Sequence, residues 1–159
     1  MYEEIFVVKM TPEYAKIIVS WTYDGDYSIY NHDEGFVNEC MDGKHFTFIN
    51  SNNELLGYFC FGTEARIPTT EKNVYNNDFT DIGLHIRPDL TGKKLGNHFL
   101  DVCLNYIQNN FNTNRFRATI ASFNKRALRL CVKAGFNPVE EVTHLFSEKK
   151  FTIVTLVAH

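Results

Sequence analysis

The stretch Asp81-Ile-Gly-Leu-His-Ile-Arg-Pro-Asp-Leu-Thr-Gly-Lys-Lys-Leu-Gly96 restricts the fold of this chain more than any other. An apolar strand runs through a Gly/Lys turn into a helix. That order presents backbone N–H groups and a helix N-terminus to an anion such as phosphate. A second stretch, Asn124-Lys-Arg-Ala-Leu-Arg-Leu-Cys-Val-Lys-Ala-Gly-Phe136, reads as a helix capped by Asn124, stopped at Gly135 and followed by a strand.

The 159 residues are the size of one domain with a substantial core. No apolar run reaches the roughly 18 residues of a membrane span, and Met1-Tyr-Glu-Glu lacks the pattern of a secretion signal. Cys40, Cys60, Cys103 and Cys131 are scattered without a C-x-x-C pair, which suits free thiols in a reducing cytoplasm. The net charge is −3, but it is unevenly spread. Between Ile17 and Gly43 there is no Lys or Arg, yet Asp24, Asp26, Asp33, Glu34, Glu39 and Asp42 are present. From Arg87 to Lys150 eleven basic residues face five acidic ones. Either the solvated faces simply segregate, or one region suits an anionic cofactor and another a cationic substrate. The overall acidity argues against non-specific binding of nucleic acid.

Along the chain, Glu3–Lys9 reads as a strand, and Thr11-Pro12-Glu13 opens a helix running to about Ser20. Trp21–Asn31 reads as a loop and Asp33–Met41 as a short helix. Strands follow at His45–Asn50 and Leu55–Gly62, then a polar connection over Thr63–Asn77. Thr80–Arg87 is a strand, Gly92–Asn109 a helix, Phe116–Ile120 a strand and Asn124–Ala134 a helix. Phe136–Phe146 and Phe151–Ala158 form a closing hairpin. This alternation predicts an α/β (α+β) fold, a mixed sheet with helices on both faces.

Simple glycine motifs do not fit the turn: a P-loop needs a glycine upstream of Gly92-Lys93, and a Rossmann fingerprint needs G-x-G-x-x-G. The two stretches together, in this element order, resemble the acetyl-CoA-binding core of the GNAT N-acetyltransferase superfamily. The resemblance implies one domain over residues 1–159, with a mostly antiparallel central sheet. The family's turn, Gln/Arg-x-x-Gly-x-Gly/Ala, falls on Thr91-Gly92-Lys93-Lys94-Leu95-Gly96, with Asn97 following. Gly96 matches, whereas Thr91 and Lys94 depart from the pattern. Lys94 keeps its amide, which suffices if its φ need not be positive. By the same resemblance Leu84, His85 and Ile86 would offer main-chain groups to the pantetheine arm, and one N–H would hold the oxyanion. Asn124 would bond the same arm, and Ala127 and Leu130 would pack along it.

The family's run Asn-x-x-Ala-x-x-x-Tyr has Cys131 at the tyrosine that protonates the departing thiolate. Cys131 reads either as that acid or as a small core hydrophobe on an apolar helix face. Asp81, at the head of the strand, is the base candidate, or alternatively a strand cap or hydrogen-bond acceptor. His144 is a second base candidate near the acceptor site, and the side-chain role of His85 is open. The family's acceptor loop corresponds to Trp21–Tyr30, where Trp21, Tyr23, Tyr27 and Tyr30 with Asp24 and Asp26 suit a protonated amine. Part of these rings equally suits the core. The histidines lack metal-ligand spacing, so no metal is expected. The implied activity is transfer of acetyl from acetyl-CoA to a primary amine by direct attack, in a cytoplasmic monomer or homodimer with neither nucleic acid nor membrane as partner. A CoA-binding module without turnover is the alternative.

Overall fold

The computed structural model describes residues 4–158, so Glu3, the expected first residue of the opening strand, lies outside the described residues. The elements are β1 (Phe6–Lys9), α1 (Pro12–Val19), α2 (Phe36–Glu39), β2 (His45–Ile49), β3 (Leu55–Phe61) and β4 (Thr80–Ile86), then α3 (Gly96–Phe111), β5 (Arg115–Ala121), α4 (Lys125–Lys133), β6 (Asn137–Thr143) and β7 (Lys150–Val157). Their order is the expected one. Hydrogen bonding orders the seven strands β1-β2-β3-β4-β5-β7-β6. β4 and β5 pair in parallel, whereas β1–β2, β2–β3, β5–β7 and β6–β7 are antiparallel. The sheet is thus mixed and mostly antiparallel.

Two compact units can be distinguished, Met1–Cys60 with Leu84–Tyr106 and Phe61–Gly83 with Ile107–His159. In the first, the Thr11 hydroxyl accepts the Tyr14 N–H at 3.1 Å and Pro12 occupies the first turn, so α1 begins where its cap dictates. Its inner face buries Ala15 and Ile18 against Met10, Phe36, Cys40, Leu55 and Tyr58, with Trp21 packed at the side. β2 is buried along its whole length. Phe48 lies 5.0 Å from the Phe99 ring of α3. Gly57 of β3 permits an unusually close strand approach: a Cβ there would stand 2.5 Å from the His85 carbonyl oxygen. The acidic loop expected over Trp21–Asn31 contains a short 3-10 helix, Gly25–Tyr30.

The helix α3 begins at Gly96 rather than at Gly92. Gly92 and Lys94 have φ of 74° and 63°, left-handed values that no α-helix can include.

In the second unit β5 and β7 pair from Arg115↔Val157 to Ala121↔Phe151, and β6 closes on β7 with an irregularity between Pro138 and Glu140. Phe116, Ile153, Val154 and Val142 are fully buried. Among the described residues all four cysteines are free, and all are buried.

Candidate active site

The turn that opens α3 is built from backbone conformation first. The strand β4 ends at Ile86, a short 3-10 helix covers Pro88–Leu90, and the chain then passes Gly92 and Lys94 before α3 starts. Left-handed residues alternating with right-handed ones are one way a backbone forms an anion-binding nest, and Gly92 and Lys94 are left-handed here. α3 has 16 residues and no acidic side chain in its first turn, so the positive end of its dipole is not neutralised internally. Lys93 and Lys94 are exposed and add charge. The condition set on Lys94 from the sequence is thereby corrected: its φ is positive, and a lysine occupies a conformation that costs an L-residue about 1–2 kcal/mol.

β4 pairs with β5 through Thr80, Asp81 and Ile82. Leu84, His85 and Ile86 lie beyond those three pairs. The Ile86 carbonyl is not wholly open, because the Tyr23 hydroxyl donates to it at 2.7 Å. Burial pushes that phenol up to about 12, so it stays protonated and keeps donating.

A chain of rings surrounds His85. Its imidazole stacks on Tyr58 at 4.6 Å with an interplanar angle of 7°. The edges of Tyr30 and His32 meet it at 5.9 and 5.6 Å. Tyr27 and Tyr23 extend the chain, at 6.4 and 6.3 Å from Tyr30. His32 Nε2 and the Tyr58 hydroxyl are 2.5 Å apart, and His32 stacks on Phe36 at 4.1 Å. His45 stands on the far side of Tyr58, its Nδ1 2.8 Å from Asp42. Burial, then the nearby His32 and His45, hold His85 down to about 3, and it is neutral at physiological pH. Burial lowers His32 as well, with His45 adding and Asp33 opposing. Among the described residues no group of His, Cys, Asp and Glu converges as metal ligands would. Sequence reasoning left the His85 side chain open and passed over His32 and Tyr58. The signal was a run of neutral rings on three different segments, which no local spacing exposes.

Asp24 and Asp26 are exposed beside these rings, and Trp21 belongs to the α1–α2 core.

Two sequence-derived roles are corrected by geometry. Asp81 is 2% exposed. Its Oδ1 accepts from Arg117 Nε at 2.6 Å, while Oδ2 accepts from Arg117 Nη2 and Arg66 Nε, each at 2.8 Å. Tyr75 lies under both guanidiniums, at 5.4 and 5.1 Å. A carboxylate so enclosed anchors its unit and cannot reach a substrate amine. Cys131 is buried, which pushes its thiol up to about 12. Such a thiol is a poor donor to a thiolate whose conjugate acid has a pKa of about 8.5. The core-hydrophobe reading of Cys131 is the one its surroundings favour.

Asn124 is the cap of α4, its Oδ1 accepting the Ala127 N–H at 3.2 Å, and Ala127 and Leu130 are half-buried on that helix. His144 serves the hairpin: its Nδ1 accepts from the Phe146 and Ser147 amides at 3.3 and 3.1 Å. That nitrogen is therefore not available as a base.

Comparison with known proteins defines the class. Residues 5–137 match the family model described as acetyltransferase (GNAT) domain. The chain belongs to the GNAT acetyltransferase family, and it is an acyltransferase enzyme. Solved structures share the fold. An acetyltransferase of the GNAT family from Bacillus anthracis superposes with a TM-score of 0.74 at 19% identity, over 99% of this chain and 97% of its own. A putative phosphinothricin N-acetyltransferase gives 0.73 at 16% identity, over 98% and 99%. A chimera of spermidine N-acetyltransferase from Vibrio cholerae and hSSAT gives 0.71 at 13% identity, over 96% and 95%. A search of curated proteins returns no match.

Proposed function

We propose that the protein transfers the acetyl group of acetyl-CoA to a primary amine, by direct attack within a ternary complex, with residues 1–159 acting as one domain. The observation that carries this reading is the turn before α3. Gly92 and Lys94 hold left-handed backbone at the head of a helix without acids in its first turn. That is what a pyrophosphate needs, and Thr91, Gly92, Lys93, Lys94, Leu95, Gly96 and Asn97 are the residues proposed to hold it. The main chain of Leu84, His85 and Ile86 receives the pantetheine arm, and an N–H there faces the oxyanion. Asn124, Ala127 and Leu130 are assigned to the same arm.

The acceptor lies on the rings of Tyr23, Tyr27 and Tyr30 with Asp24 and Asp26. Aromatic faces and carboxylates favour a cationic amine. Related folds include enzymes named for spermidine and phosphinothricin, which is in keeping with a small amine. Free thiols at all four cysteines accord with a cytoplasmic setting.

Calorimetric titration with acetyl-CoA tests the cofactor half. Saturable one-to-one binding, weakened by the pair Lys93→Ala and Asn124→Ala, is expected; absence of binding refutes it. Release of CoA thiol with a panel of spermidine, phosphinothricin and a peptide with a free N-terminus tests the transfer half.

A further inference from the structure

The helix α4 carries Lys125, Arg126, Arg129 and Lys133 and no acid. On its outer side Lys125, Leu128, Arg129, Val132 and Lys133 line an open hollow. At about 3.6 residues per turn these residues share one side of the helix, and Ala127 and Leu130, assigned above to the pantetheine arm, lie on the other. We infer that this outer face docks an acidic amphipathic helix of another protein, one with carboxylates four residues apart beside an aliphatic row.

Geometry is the first support. Lys125, Arg129 and Lys133 stand four residues apart, so they form a row with steps of roughly 6 Å along the helix. Leu128 and Val132, also four apart, form a second row beside it. Val132 is 52% exposed, a large apolar side chain left in water. The charge at the head of α4 does nothing for the helix itself. Lys125 and Arg126 occupy its first turn, where no acid offsets them and the positive end of the dipole disfavours cations. Among the described residues Lys125, Arg129 and Lys133 take part in no ion pair.

Charge complementarity selects the occupant. Cations in line, with no counter-charge of their own, match carboxylates set at the same step. The adjoining aliphatic row narrows the choice to a helix, which presents a charged row and an apolar row side by side at that spacing. Charged rows flanking an apolar seam are how coiled-coil helices choose their partners. A second copy of this chain does not supply the pattern. Among the described residues α1 has Glu13 as its acid, α2 Glu39 and α3 Asp101, so no α-helix here offers two carboxylates four apart. Nucleic acid would meet the cations but would leave Leu128 and Val132 facing its phosphates with nothing to bury them.

Fluorescence anisotropy tests the docking with a labelled synthetic helical peptide that bears glutamates at every fourth position and leucines in the adjoining row. A scrambled peptide of the same composition is the control. The titration needs no substrate, so it is independent of turnover. Saturable binding in the micromolar range is expected, at least about tenfold tighter than that of the scrambled peptide. Arg129→Glu, which sets like charges face to face, should weaken it about tenfold or more. Val132→Ser should weaken it about fivefold through lost apolar burial. Both side chains are exposed, and thermal unfolding verifies that the variants fold. Acetyl-CoA should not displace the peptide. Absence of saturable binding overturns the proposal, as does equal binding of the scrambled peptide or indifference to Arg129→Glu. Displacement by acetyl-CoA overturns it by assigning the cations to the cofactor. Sedimentation of the protein alone supplies the last check: self-association that Arg129→Glu abolishes would mean that a second copy covers this face, and would overturn it too.

Discussion

Lys94 shows how one residue can serve a site at a cost to the fold. Its φ of 63° costs about 1–2 kcal/mol for a side chain with a Cβ. Lys94→Gly removes that strain but loosens the unfolded chain by about 0.4–1 kcal/mol. The first term is larger, so the variant should be more stable by about 0.5–1 kcal/mol in urea unfolding. Lys94→Ala keeps the strain and loses only the charge, and should show no such gain. At Cys131 the expectation is different. Cys131→Ala should leave kcat within about twofold and cost ~1 kcal/mol of stability, as a small core truncation does. A kcat loss of about 100-fold would restore it as the acid. The sequence exposes both positions readily, because each departs from a spaced motif. What it hides is the environment that decides their chemistry: the positive φ of one and the burial of the other arise from neighbours outside the motif.

Elements were legible where their ends are written locally. Thr11 and Pro12 announce α1, and Asn124 announces α4. The start of α3 was misplaced because a left-handed lysine looks, in sequence, like a helix former. The partners of Asp81 were invisible for another reason. Arg117 pairs with it only because β4 and β5 are in register at that position, and Arg66 arrives from a separate loop. Asp81→Asn leaves Arg117 buried without its counter-charge, which should cost about 3–5 kcal/mol in equilibrium unfolding. Loss of turnover in that variant should therefore parallel loss of folded protein, not a change in the pH–rate profile. Between β3 and β4 the sensitive point is Gly57. Gly57→Ala forces a Cβ against the His85 carbonyl, at 2.5 Å before relaxation. Overpacking of this kind should cost about 1–3 kcal/mol in equilibrium unfolding.

At the scale of the whole molecule, the neutral histidines couple folding to pH. The folded His85 titrates at about 3, whereas an unfolded histidine titrates near 6.5. Between those values the unfolded chain binds more protons, so stability rises with pH across the window and is lost as pH falls through it. The lowered His32 acts in the same sense. The melting temperature should therefore fall between pH 7 and pH 4, and the fall should be smaller in His85→Phe. A pH dependence identical in wild type and variant would show that the ring is not held neutral.

The hydroxyl of Tyr23 touches the carbonyl of Ile86, joining the segment proposed for the amine to the strand end proposed for the thioester. Two ligands that pull on opposite ends of one hydrogen bond do not bind independently. Linkage then requires reciprocity: whatever factor acetyl-CoA imposes on amine affinity, the amine imposes on acetyl-CoA. Tyr23→Phe should bring that factor towards one in calorimetric titrations carried out in either order. An enzyme built this way couples the affinities of its two substrates equally in both directions, through a single phenol.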